Sequence, residues 1–106
     1  MTNRREVTVD LARQFIARRG TIAGLGGGRL HELAVAAEAV ITEILLSARE
    51  GALEIESVHD EEVLSIRIKH PEIKERWMRD LEGVLQRFLD DYEIIPTRAM
   101  LEKRLR

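Results

Sequence analysis

The stretch from Leu30 to Lys69 constrains the fold most. An alanine-rich apolar segment, LHELAVAAEAVITEILLSAR, is followed at once by ALEIESV and VLSIRIK. In the first, Leu33, Ala37, Val40, Ile41, Ile44 and Leu45 recur at three- and four-residue intervals and trace one helical face. Glu32, Glu43, Arg49 and Glu50 fall on or near the opposite face or at the ends. Ala34, Ala36 and Ala39 widen the apolar stripe, so the pattern predicts a central helix buried over most of its circumference. In Leu53 to Val58, Leu53 and Ile55 alternate with Glu54 and Glu56, the period-two pattern of a half-buried strand. Leu64, Ile66 and Ile68 against Ser65, Arg67 and Lys69 repeat it more strongly. His59 to Glu62 is then the turn of an antiparallel hairpin, with Glu54 and Glu56 placed near Arg67 and Lys69 on its outer face.

The flanks are less regular. Leu11, Ala12, Phe15 and Ile16 predict a short amphipathic helix over Val9 to Arg19, with Thr8 or Asp10 as N-cap and Gly20 as its stop. Glu6 to Val9 is too short to assign and leaves a brief strand open. Residues 21–28 contain Gly24, Gly26, Gly27 and Gly28 and predict a flexible glycine-rich loop. Pro71 suits the first turn of a helix in which Ile73, Trp77, Leu81, Val84, Leu85 and Phe88 repeat at helical spacing, ending at Leu89 or Asp90. Gly83 marks either a break in that helix or a close contact. Tyr92 to Ile95 reads as a strand stopped by Pro96. The tail, 97–106, fits a strand through Ala99, Leu101 and Leu105 and equally a helix edge through Met100, Leu101 and Leu105. The expected architecture is one α+β domain over 1–106, a two-layer sandwich of helices on a mostly antiparallel sheet.

Bulk properties narrow the function classes. A length of 106 residues suits one core and not two. Seventeen basic and nineteen acidic residues give a formal net charge of -2, so no overall field draws nucleic acid or anionic lipid. The absence of cysteine excludes disulfides, thiolate metal sites and thiol nucleophiles, and suits a reducing cytosol. Met1 to Asp10 is charged where a signal peptide is apolar, and no apolar run reaches the roughly 20 residues of a membrane helix. These features lead to the expectation of a cytoplasmic protein with no membrane contact.

Each candidate site has a plain structural reading beside its chemical one. Gly24 to Gly28 could cradle a phosphate, but such motifs follow a strand and carry a Lys-Ser/Thr pair, whereas this loop follows a helix and lacks the pair. A flexible connector is the simpler reading. Glu38 could act as a general base only with a substrate in hydrogen-bonding reach, and a glutamate on an alanine-rich helix is more often paired or solvent-facing. His31, His59 and His70 are isolated in sequence, and no metal site is expected from them. The basic groups Arg4-Arg5, Arg18-Arg19 and Lys103 to Arg106 are not accompanied by a nucleic-acid recognition motif. Trp77, flanked by Arg76 and Arg79, has the composition of a binding hot spot, and equally that of a core residue facing the sheet.

The order helix, loop, long helix, strand, turn, strand, helix, strand, tail resembles the histidine-kinase-like ATPase fold, in particular the small bacterial anti-sigma factors and serine-kinase switch proteins. The likeness runs from about Val7 to Leu105 and rests on pattern more than on identities. In that family the long helix carries Glu-x-x-x-Asn, in which the glutamate activates the attacking hydroxyl or water and the asparagine holds magnesium. AEAVITEIL places Glu38 and Thr42 at those positions, and threonine lacks the reach of the amide. The family's Asp-x-Gly-x-Gly box follows the second hairpin strand, where this chain has His70, Pro71, Glu72 and Ile73 and therefore no adenine-reading aspartate and no glycine. Only about seven residues separate Pro71 from Met78, so the ATP lid is missing. Of the second glycine box, Gly83 alone stands in the neighbourhood.

The resemblance therefore implies a reduced, truncated kinase-like ATPase framework that has lost ATP binding and carries no cofactor. The function expected is a non-enzymatic regulator that binds a protein, such as a sigma factor, an antagonist or a second copy in a homodimer. Arg13, Arg19, Arg76, Trp77, Arg79 and Arg87 are the expected contact residues. Two alternatives remain: a nucleotide-binding or serine-kinase-like enzyme using Glu38 and Thr42, and an unrelated small α+β dimer that binds nucleic acid.

Overall fold

The computed structural model describes residues 4–105, and side chains within 9–105. The chain forms α1 (Arg4–Ala23), α2 (Gly27–Ser47), β1 (Glu54–His59), β2 (Val63–Lys69), a 3₁₀ helix (Glu75–Leu81), α3 (Glu82–Phe88), β3 (Asp91–Ile95) and β4 (Arg98–Arg104). The four strands make one antiparallel sheet in the order β1-β2-β4-β3, and the helices pack against it, giving the expected α+β architecture. α1 lies over β1 and β2, and α2 beside it over β4. Among the described residues no helix is long and apolar enough to cross a membrane.

Strand alternation decides which sheet face is covered. Leu64, Ile66 and Ile68 of β2 pair in register with Lys103, Leu101 and Ala99 of β4, and all six are buried. Beneath α2 they meet Leu33, Ala36, Ala37, Val40, Ile41 and Ile44, the apolar stripe of the central helix. The opposite sheet face carries Glu56, Arg67, Met100 and Glu93 as one cross-strand row. Glu56 there meets both Lys69, at 3.2 Å, and Arg67, at 3.5 Å. The hairpin turn is closed by Asp60, whose Oδ1 accepts the N–H groups of Glu62 and Val63 at 2.7 and 2.9 Å. Those bonds hold its carboxyl below the usual range.

Several boundaries differ from the sequence expectation. Glu6 to Val9 is helix, not strand, and α1 continues through Gly20, which is buried against Leu30. The helix stops instead at Gly24, with φ 93°. Leu25 N–H bonds Gly20 O at 2.8 Å and Gly24 N–H bonds Thr21 O at 3.1 Å, the paired bonds of a Schellman cap, and Leu25 is buried behind it. The expected loop over 21–28 thus shrinks to Gly24–Gly26. The helix expected from Pro71 to Leu89 is a turn, the 3₁₀ helix and α3, whose junction at Leu81 adjoins Gly83. Gly83 makes no close contact, so the break is its only correlate. The tail is strand β4, inside the sheet. The side chains of Arg4, Arg5, Thr8 and Arg106 lie outside the described residues.

Candidate functional site

Two clefts collect the residues singled out in the sequence. The first lies between α1 and α2, has a volume of about 470 Å³ and is lined by Val9, Asp10, Arg13, Glu38, Thr42, Leu45 and Leu46. Glu38 and Thr42 are one turn apart on α2, on the side turned away from the core stripe, so the helix itself brings them together. α1 supplies the rest. Arg13 Nη2 donates to Glu38 Oε1 at 2.5 Å and Nη1 to Asp10 Oδ1 at 3.4 Å. The bond to Glu38 raises the Arg13 pKa above its ordinary value. Glu38 is therefore held in an ion pair with a permanent cation, and a proton acceptor so engaged must first be released before it can act as a base.

The second cleft, about 620 Å³, lies between the turn after β2, the 3₁₀ helix and the β3–β4 turn. Lys74, Arg76 and Arg79 stand around it together with Glu72 and Glu75, with Pro71, Pro96 and Thr97 among its other walls. All three cations are exposed, and none has an ion-pair partner among the described residues. Thr97 occupies the second central position of a two-residue turn behind Pro96, with φ 73°, a left-handed conformation that a β-branched residue adopts at a cost.

The segment His70-Pro71-Glu72-Ile73 forms the floor between these features. His70 is buried; its N–H donates to Thr97 O at 3.1 Å, and its Nδ1 accepts the Glu72 N–H at 3.1 Å. Glu72 Oε2 accepts the main-chain N–H groups of Arg49 and Glu50 at 2.7 and 3.1 Å, which holds its carboxyl below the usual range. The loop they fix passes so close that a Cβ on Gly51 would lie 2.5 Å from Pro71 Cγ. This carboxylate is a clamp on the backbone between α2 and β1.

The six expected contact residues do not form one surface. Arg13 lines the first cleft, and Arg19, farther along α1, lies over the Phe15 ring with its guanidinium 5.4 Å from the centroid. Arg76 and Arg79 line the second cleft, whereas Trp77 between them is half-buried against the core, and Arg87 lies over Phe88 at 5.6 Å. His31 and His59 are exposed, and no group of three or more His, Asp or Glu side chains suited to a metal forms among the described residues. Sequence reasoning missed Lys74, Glu72 and Thr97. Of these only Thr97 carried a local signal, since proline suits the first central position of a turn and a type II turn puts the residue after it at positive φ.

Compared with known protein families and with curated proteins, the chain matches none.

Proposed function

We propose that the protein is a non-enzymatic regulator that acts by binding another protein, in the manner of the anti-sigma factors and serine-kinase switch proteins its element order resembles, without their nucleotide chemistry. One observation carries the reading: the carboxylates in the segments that would handle nucleotide already have internal partners. Glu38 is paired with Arg13, and Glu72, in the segment where an adenine-reading aspartate would stand, is bonded to two main-chain amides. The contact surface is the second cleft, where the exposed Lys74, Arg76 and Arg79 outnumber Glu72 and Glu75, and Glu72 is already bonded to main chain. Such a surface suits carboxylates on a protein partner. Titration calorimetry with ATP and magnesium tests the loss of nucleotide binding, and saturable binding at micromolar levels overturns it. Affinity purification from the native cell tests the partner: a protein retained by the wild type must be lost by the Arg76→Glu/Arg79→Glu variant.

A second reading rests on the first cleft. Its volume is in the range of small-molecule sites, and Glu38 and Thr42 share it. An enzyme using Glu38 would lose a measured phosphotransfer activity in a folded Glu38→Ala variant, and the regulator has no such activity to lose.

A further inference from the structure

The second cleft has fixed walls. Both prolines of the chain, Pro71 and Pro96, stand in them, and each ring holds its own φ. The 3₁₀ helix orders the cations. With three residues per turn, Arg76 and Arg79 stand in one row about 6 Å apart along the axis, where an α-helix would turn them about 60° from one another. Glu75 belongs to the next row with Met78, which is buried, and it also lines the neighbouring slot formed with Glu82, Leu85, Tyr92 and Ile94. It therefore stands at the border with that slot. Glu72, the other acid of the lining, is committed to the Arg49 and Glu50 amides. Thr97, on the β3–β4 turn, is exposed, and its hydroxyl is in no hydrogen bond among the described residues. At φ 73° glycine or asparagine is less strained, so the turn carries a hydroxyl against its own backbone preference.

We propose that the second cleft binds a small phosphate monoester, which competes there with the acidic partner. The donor set selects the ligand. A carboxylate brings one charge and two oxygens in a plane, whereas a phosphoryl group brings about two negative charges and three oxygens directed to different sides. Two guanidinium groups in one row, an ammonium, and a hydroxyl on the turn match the second. Arginine pairs with phosphate through two parallel N–H bonds, and lysine as a point charge. The cleft, at about 620 Å³, lies in the range of small-molecule sites, so the phosphate carries an organic body. Pro71, Ile73 and Pro96 give that body an uncharged wall. Neither Glu38 nor Thr42 takes part, because both line the first cleft. The competition rests on the reading of this cleft as the partner's contact surface; the binding of the ester does not.

Calorimetry on the full chain compares glycerol 3-phosphate with succinate at equal ionic strength. Both are dianions near neutral pH, and only the first gathers its charge on one tetrahedral group. Glycerol 3-phosphate is expected to bind with a Kd of about 1 mM or below, about tenfold tighter than succinate. In Arg76→Gln/Arg79→Gln, where both side chains are exposed, the circular dichroism spectrum should be unchanged and the affinity about a hundredfold lower. Thr97→Val keeps the β-branched shape and its strain and removes the hydroxyl alone. It should weaken binding about tenfold at an unchanged urea midpoint. Equal affinity for the two dianions, undiminished binding by the arginine variant, or no heat at about 10 mM ester overturns the site. Partner capture is read separately: an ester that binds the wild type yet leaves a captured partner in place overturns the competition. Failure of the contact surface reads differently, since no protein is then captured while the ester still binds.

Discussion

The two faces of the sheet carry the same kind of ion pair under opposite conditions. On the inner face Lys103 occupies a position where its β4 neighbours have Ala99 and Leu101, with its side chain only 7% exposed. Its Nζ donates to Glu32 Oε2 at 2.7 Å and to Phe88 O at 2.6 Å, joining α2, the C-terminus of α3 and β4 at one point. On the outer face Glu56 meets Lys69 and Arg67 with all three side chains 36 to 45% exposed. Water can replace the outer partners at little cost, whereas a buried ammonium has nothing else to bond. Position in the alternation therefore decides whether losing a partner opens the core or is absorbed by water. Removing each partner in turn should expose that difference.

The largest effect is expected at Lys103. Truncation in Lys103→Ala leaves Phe88 O without its donor and opens space beside the core. Glu32, at 39% exposed, can rehydrate, which limits the loss to about 3 kcal/mol. Lys103→Met keeps the stem and fills the space, so its cost is expected to be less than half as large, read from urea midpoints at constant m-value. Equal losses in the two variants would mean that the charge, not the packing, carries the contribution.

Glu72 sharpens the comparison because its carboxylate lies at the surface yet bonds main chain that has no other partner. Glu72→Ala releases the loop between α2 and β1, and a fall in thermal midpoint of roughly 5 °C is expected. The pH dependence has a definite sign. Its pKa is lowered from 4.5 by the Glu50 and Arg49 N–H groups, so its contribution is fully present above pH 4.5 and disappears as pH falls through the lower folded value. The stability gap between wild type and Glu72→Gln should therefore close on acidification below 4.5, and a gap that widens there contradicts the clamp.

The same comparison explains what the sequence made legible. VLSIRIK announced its strand because every inner position is apolar, but RAMLEKR places Lys103 at an inner position and so reads equally as a tail or helix edge. A buried, paired lysine cannot be told from an exposed one until Glu32, 71 residues away, is brought to it. Gly20 and Gly24 are equally good helix stops locally, and only the close approach of Leu30 shows why the helix passes through the first. The spacing from Ile73 to Phe88 is satisfied by a 3₁₀ helix followed by a short α-helix as well as by one long helix. Glu38 and Thr42 were legible as one helical face because four residues make one turn. The Arg13 that occupies Glu38 lies 25 residues away and left no local trace.

At Thr97 the expected change is a gain. The residue holds φ 73° between β3 and β4, and asparagine tolerates that region where a β-branched side chain is strained. Thr97→Asn is expected to stabilise by about 1 kcal/mol. His70 N–H bonds the Thr97 carbonyl, which the substitution keeps, so the gain should come without loss of the β2 end. A loss of stability would show that the threonine side chain makes a contribution larger than the backbone strain it imposes.

The smallest effect belongs to the outer face. Lys69, first, and Arg67 depress the Glu56 pKa, so Glu56→Gln removes a charge that two cations share. Both cations are at least a third exposed, and Gln keeps the side-chain length and an acceptor oxygen, so the substitution leaves no further buried group unpaired. No resolvable change in urea midpoint is expected at neutral pH and physiological salt. A difference should emerge only at low ionic strength, where the exposed charges are unscreened. If Glu56→Gln instead matched Lys103→Ala, the outer row would be a structural element, and the distinction between the two faces of the sheet would fail.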